Sequence, residues 1–187
     1  DESGLRQAHQ FMLSCELDVD LSAVTQESLN KITPQNRDLC RDAFASAASQ
    51  AIFSGLHKDV SECFKVLGIP FLKEALDKDS GYTMDVLITE LMDETVAMTV
   101  EGDEVKGLAV EVDGPSHFMR DSKRPLGHTC LKRRHLRALG YLVVSVNYWD
   151  WDVFHHGRMT PLEGKMAKLA HLRDLVGDFV HVPNKIA

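Results

Sequence analysis

Cysteine is scarce in this chain and scattered where it occurs. The four cysteines in 187 residues, Cys15, Cys40, Cys63 and Cys130, never stand close together. That excludes a CxxC redox pair and the clustered Cys/His ligands of a structural zinc site. Free thiols in a reducing compartment are the expected state. Long apolar runs are missing too. No stretch of about 18 apolar residues occurs, so no transmembrane helix and no membrane partner is expected. Residue 1 is Asp, not Met, and no basic-plus-apolar leader follows it. A processed form or a fragment of something longer is therefore expected.

What is present marks a globular protein. Hydrophobic residues make up 44% of the chain, and its length suits one domain, or a domain with an appendage, around a sizeable core. The net charge of −7 is uneven. Residues 1–104 carry 8 basic and 20 acidic side chains, a net of −12, whereas residues 105–187 carry 13 and 8, a net of +5, with seven of the nine histidines. The basic half is the side on which an anionic partner is expected.

The chemistry concentrates in Gly107-Leu-Ala-Val-Glu-Val-Asp-Gly-Pro-Ser-His-Phe118. Leu108, Val110 and Val112 alternate with Ala109, Glu111 and Asp113, so a strand here has one apolar face and one that ends in two carboxylates. Gly114-Pro115 breaks the strand, and His117 follows directly. Upstream, Asp85 is a lone carboxylate within the strand expected from Tyr82 to Leu91. Its burial would cost several kcal/mol unless it is paired or ligating.

The remaining elements follow from periodicity and punctuation. Residues 4–16, 21–31 and 35–53 read as helices, the third with Thr33 as N-cap and Pro34 at its first position. They form a helical appendage over residues 1–56. The core, residues 57–187, opens with a helix stopped by Gly68. A strand is expected at 69–76, where Pro70 marks either an edge strand or a strand's first residue. A turn at 77–81, the strand 82–91, a further strand at Val96–Val100 and the strand 108–113 come next. A helix over 128–139 turns Leu131, His135, Ala138 and Leu139 to the core and Lys132, Arg133 and Arg137 elsewhere. The apolar run 141–147 has the composition of a strand covered on both faces. A last helix starts at Thr160-Pro161 and closes at Gly177. The fold class is α/β, a mixed sheet with α-β-β-β-α-β order behind a small helical appendage.

That order resembles the core of the PD-(D/E)xK nuclease superfamily. Asp85 falls on the superfamily's first carboxylate, Glu111 on its second, and Asp113 where it has a lysine. A closer resemblance lies in Leu108-Ala-Val-Glu-Val-Asp-Gly-Pro-Ser-His-Phe118 and in Thr129-Cys-Leu-Lys-Arg-Arg-His-Leu-Arg-Ala-Leu-Gly-Tyr-Leu-Val-Val-Ser-Val-Asn-Tyr-Trp-Asp-Trp151. These resemble a RAP domain, the RNA-binding domain abundant in apicomplexans, over roughly residues 57–176. The resemblance implies a very-short-patch-repair-endonuclease-like fold. It also implies a role in organelle RNA metabolism, in a mitochondrion or alternatively a plastid, including a place in an organelle ribosome.

Two chemistries then compete. As a metal-dependent endoribonuclease, the chain would use Asp85, Glu111, Asp113 and His117 as its catalytic set. Asp85 and Glu111 would hold Mg²⁺, and His117 or Lys132 would replace the missing strand lysine. As an RNA binder it needs no cofactor. Arg120, Lys123, Arg124, Lys132, Arg133, Arg134 and Arg137 would track phosphates of rRNA or organelle transcripts. His117, Tyr148, Trp149 and Trp151 would offer stacking surfaces to unpaired bases. Three acids without a strand cation favour binding over cleavage. A third reading makes the chain a structural subunit, whose acidic half meets protein neighbours in a ribonucleoprotein assembly.

Overall fold

The structure is a computed structural model that describes residues 1–17, 23–49, 54–92, 105–156 and 159–183. The strand expected at Val96–Val100 lies outside these residues. Two compact units divide the chain: Asp1–Ile52 with Leu76–Thr83, and Phe53–Ala75 with Met84–Ala187.

The first unit is built from α1 (Glu2–Leu17), α2 (Ala23–Asn30) and α3 (Pro34–Ser49). Met12, Cys15, Leu29 and Cys40 form its core. The turn at 77–81 belongs here. Asp77 closes it by accepting hydrogen bonds from the Ser80 amide and hydroxyl, both at 2.8 Å. His9 Nε2 meets the Ser80 carbonyl at 2.6 Å. Phe44 sets its edge against Tyr82, with ring centroids 5.0 Å apart.

The second unit carries the sheet, in the order β1 (Leu72–Leu76), β2 (Thr83–Ile88), β3 (Gly107–Asp113) and β4 (Tyr141–Asn147). The strands β2 and β3 run antiparallel, and β3 and β4 run parallel. Parallel neighbours need a crossover, which contains helix α5 (Gly127–Ala138). Helix α4 (Gly55–Leu67) precedes the sheet, and α6 (Tyr148–His156) and α7 (Pro161–Val176) follow it. The expected α-β-β-β-α-β order is thus present, and β1, the strand beside Pro70, is an edge strand. The other edge is β4. Most of its side chains are half-buried, less covered than its apolar run suggested, because only β3 adjoins it within the sheet.

Local chemistry explains the helix ends. Ser54 caps α4 by accepting from the His57 amide, and Gly68 ends it at φ 69, a conformation open to glycine. Thr160 and Glu163 cap α7 reciprocally. Helix α6 was not expected from the sequence. The Asn147 side-chain amide donates to Asp150 Oδ2 at 3.0 Å at the point where strand gives way to helix.

One face of the sheet is apolar. Val86, Ile88, Leu108, Val110, Val112 and Val146 pack with Val60, Phe64 and Leu67 of α4, Leu169, Leu172 and Val176 of α7, and Trp151 of α6. Each such side chain contributes about 1.5–3 kcal/mol by leaving water. Cys63 lies in this core, and its burial pushes the thiol pKa up to about 11. Of the four free cysteines, Cys130 alone is exposed.

Candidate functional site

The opposite face of the sheet carries the charges. Antiparallel pairing of Val86 with Val110 and Leu87 with Ala109 sets Asp85 across from Glu111. Asp113 lies two residues further along β3, on the same face as Glu111. These carboxylates do not form an open polar face. Glu111 is 3% exposed and Asp113 1%, and every residue of β3 is buried.

Helix α5 supplies the counter-charges. The Lys132 ammonium donates to Glu111 Oε2 at 2.5 Å. Arg133 donates to Asp113 Oδ2. The expectation that Lys132 and Arg133 point away from the core is therefore corrected. Thr129, Lys132, Arg133 and Leu136 share the spacing of one helix face, while Ala138, expected in the core, is exposed. A buried carboxylate without a partner is far costlier than a lysine or arginine turned inward. That cost rotates the helix.

Two histidines complete the layer. His117 donates from Nδ1 to Asp113 Oδ1 at 2.7 Å. His57 Nε2 stands 3.3 Å from Asp85 Oδ1, and its Nδ1 is hydrogen-bonded to Ser54 Oγ at 2.7 Å. The Val112 amide donates to Asp85 Oδ2 at 2.7 Å. His57 went unnoticed in the sequence. Its only local sign is its position three residues after the N-cap Ser54, and nothing in that spacing points to Asp85.

Burial and charge split the carboxylates. Burial pushes Glu111 up to about 7, with Asp85 and Asp113 adding to the rise and Lys132 opposing it. Burial also acts upward on Asp113, but the His117 hydrogen bond and the Arg133 charge outweigh it and hold the group low. Asp85 is held low in the same way, against burial, by His57 and Lys132. The hydrogen bond to Asp113 raises His117. Lys132 is raised despite its burial, because Glu111 and Asp85 favour its charge. Lys132 keeps its proton, and burial outweighs its charge at Glu111, so Glu111 is the member that titrates near 7.

This donor set does not fit Mg²⁺, which needs a near-octahedral shell of oxygens. Both Asp85 oxygens and Glu111 Oε2 are engaged, leaving Glu111 Oε1 as a buried oxygen without a hydrogen-bond partner. Among the described residues, no group of three or more His, Cys, Asp or Glu is placed to hold a metal.

Beyond Asp113 the chain forms a tight loop. A short 3-10 turn, Pro115–His117, leads into a pairing of Phe118 with Pro125, and the Met119 amide donates to the Arg124 carbonyl at 2.8 Å. Arg120, Lys123 and Arg124 are exposed at its tip. Phe118 packs edge-on to Trp149 at 4.4 Å between centroids, with Tyr148 beside both, and the Lys123 ammonium stands 5.1 Å over the Trp149 ring. Trp151 differs. It is 1% exposed, and its Nε1 donates to Asp59 Oδ2 at 2.8 Å. The expectation that Trp151 offers a stacking surface is corrected, because two residues along a helix place it in the core. Arg134 and Arg137 are exposed on α5, the latter reaching the Val143 carbonyl at 3.4 Å.

Residues 110–160, from β3 through the loop, α5 and β4 into α6, match the family described as the RAP domain. The chain carries a RAP domain. A relative from Oryza sativa subsp. japonica, named "RAP domain-containing protein, chloroplastic", is 32% identical over 130 residues, 69% of this chain and 16% of that protein. The mitochondrial "FAST kinase domain-containing protein 3" of Bos taurus is 42% identical over 75 residues, 38% of this chain and 11% of that protein. The Homo sapiens protein of the same name is 41% identical over 72 residues, 37% and 11% respectively. This chain therefore corresponds to a small share of each relative's length. Glu111, Asp113, His117, Lys132, Arg133 and Trp149 lie within the matched RAP domain. Asp85 and His57 lie before it.

Proposed function

We propose that this chain is an RNA-binding module of organelle RNA metabolism, in a mitochondrion or plastid. One observation carries the reading: Arg120, Lys123 and Arg124 stand exposed on one short loop of the RAP domain, with the Trp149 ring beneath Lys123. Exposed cations beside an aromatic ring suit a single strand, whose phosphates meet the cations while an unpaired base stacks. The half-buried Lys132 and Arg133 are each turned onto a carboxylate, Glu111 and Asp113, rather than toward a phosphate. The organelle names of the relatives support the compartment. The acidic first half of the chain suits protein neighbours in a ribonucleoprotein assembly, of which an organelle ribosome is one form.

The test is a salt titration of binding to a single-stranded RNA. The combined Arg120→Glu, Lys123→Glu and Arg124→Glu protein should bind at least tenfold more weakly. Its dependence on salt should flatten by a slope of about 2 if three phosphate contacts are lost. Trp149→Ala should weaken binding by roughly 1–3 kcal/mol, the worth of one stacked base. Binding untouched by the triple reversal would place the RNA surface elsewhere.

A further inference from the structure

The RAP domain brings together two imidazoles, one of which, His117, is also tied to Asp113 in the charged layer. His117 and His128 meet edge to face, with ring centroids 6.2 Å apart and planes at 65°. One ends the 3-10 turn, and the other is in the first turn of α5. His128 is exposed, and His117 keeps about a third of its side chain in solvent.

We propose that His117 and His128 form a metal-independent acid–base site that cleaves single-stranded RNA by transphosphorylation. The inference rests on the RNA-binding reading, since the cationic loop must deliver the strand.

The geometry assigns the roles. His117 Nδ1 is held by Asp113, and Arg133 fixes that carboxylate's other oxygen, so Nε2 is the nitrogen left to meet a substrate. The His117 backbone is pinned as well: its amide donates to the Gly114 carbonyl at 3.0 Å, and its carbonyl accepts from the Leu126 amide at 2.9 Å. A carboxylate behind an imidazole favours the charged ring, which makes His117 the acid. The charged groups bearing on it are Asp113 of β3, Asp85 of β2 and Lys132 of α5, and their combined effect is to raise its pKa. That leaves His128, exposed in the first turn of α5, as the base. With centroids 6.2 Å apart, the two rings are close enough for a nitrogen of each to reach one phosphate. The α5 N-cap is Leu126, which makes no side-chain cap hydrogen bond, so the first-turn amides add attraction for an anion.

The step balances without a co-reactant. The ribose 2′-hydroxyl gives its proton to His128, and its oxygen forms a bond to phosphorus. The bond from phosphorus to the 5′-oxygen breaks, and that oxygen takes the proton of His117. The products are a 2′,3′-cyclic phosphate and a 5′-hydroxyl.

The experiment incubates the full 187-residue chain in excess EDTA with an end-labelled single-stranded RNA, and with the same sequence as DNA. Binding is measured in parallel. RNA should be cut to cyclic-phosphate ends with a bell-shaped pH profile, and the DNA should survive. His128→Ala, at an exposed position, and His117→Asn should each lose at least 10²-fold in rate while still binding RNA. RNA bound but not cut would overturn the imidazole site and leave the binding reading standing. Absence of binding would overturn both. Cleavage that needs Mg²⁺ and disappears in Glu111→Ala would move the chemistry to the carboxylates and overturn the proposal.

Discussion

The two faces of the sheet solve the same burial problem by opposite means. On one face, Val86, Ile88, Leu108, Val110, Val112 and Val146 meet apolar side chains of α4, α6 and α7. On the other, Asp85, Glu111 and Asp113 meet Lys132, Arg133 and two histidines. Shape holds the first face, and its strength does not depend on proton concentration. Ion pairs and hydrogen bonds among ionisable groups hold the second, so its strength depends on pH. The strand β3 belongs to both faces at once, so residues one apart on it obey different physics.

The largest predicted effect lies on the apolar face. Phe64→Ala should cost about 3–5 kcal/mol, the usual result of emptying a packed aromatic site. Denaturant titrations at pH 5 and pH 8 should give the same loss. A strong pH dependence of that loss would show that the faces are coupled.

Next in size is a pH effect confined to the ionic face. Glu111 holds its proton up to about 7 in the fold, against an ordinary value of 4.5. A raised folded pKa means that its stabilisation is complete below about 4.5 and is lost as pH rises through 7. His117, also raised, acts in the same sense, while Asp85 and Asp113, held low, contribute above the ordinary carboxylate range and lose that contribution in acid. Between pH 5 and pH 8 the parent protein should lose on the order of 2–3 kcal/mol through Glu111, and Glu111→Gln should abolish that part of the loss and leave the part due to His117. Thermal or urea unfolding across that window measures it, and identical pH curves would remove Glu111 from the account.

The smallest effect is expected from charges that belong to neither face. Reversing Arg120, Lys123 and Arg124 should shift stability by no more than about 0.5 kcal/mol, since all three are exposed. A loss of several kcal/mol in urea unfolding would mean that these cations are structural, and the binding assay would have to be read again.

These contrasts also mark how far the sequence could be read. Alternation along 107–113 revealed a strand with an apolar side, and Gly68, Thr160 and Pro161 announced helix ends, because those signals act within a few residues. The inward turn of Lys132 and Arg133 could not be read the same way. Helical periodicity treats lysine and arginine as solvent-facing, and the carboxylates that reverse this lie about 20 residues away. Trp149 and Trp151 looked alike until Tyr148–His156 proved helical, which sends one ring to the loop and the other into the core. His57 and Asp85 meet across 28 positions, a distance at which no local pattern speaks. The interval 93–104, with its expected strand, stays outside the comparison.

The placement of the four thiols gives the molecule an internal gauge of its own integrity. Cys15, Cys40 and Cys63 are sealed in the cores of the two units, and Cys130 is open to solvent. A thiolate-seeking reagent such as a maleimide should therefore modify the native protein once and the unfolded chain four times. Mass spectrometry resolves those adducts one by one. Labelling at Cys15 and Cys40 reports the opening of the helical unit, and labelling at Cys63 reports the opening of the unit that bears the sheet. A dye on Cys130, in the first turn of α5 two residues after His128, would report by its fluorescence whether the proposed RNA strand reaches this helix.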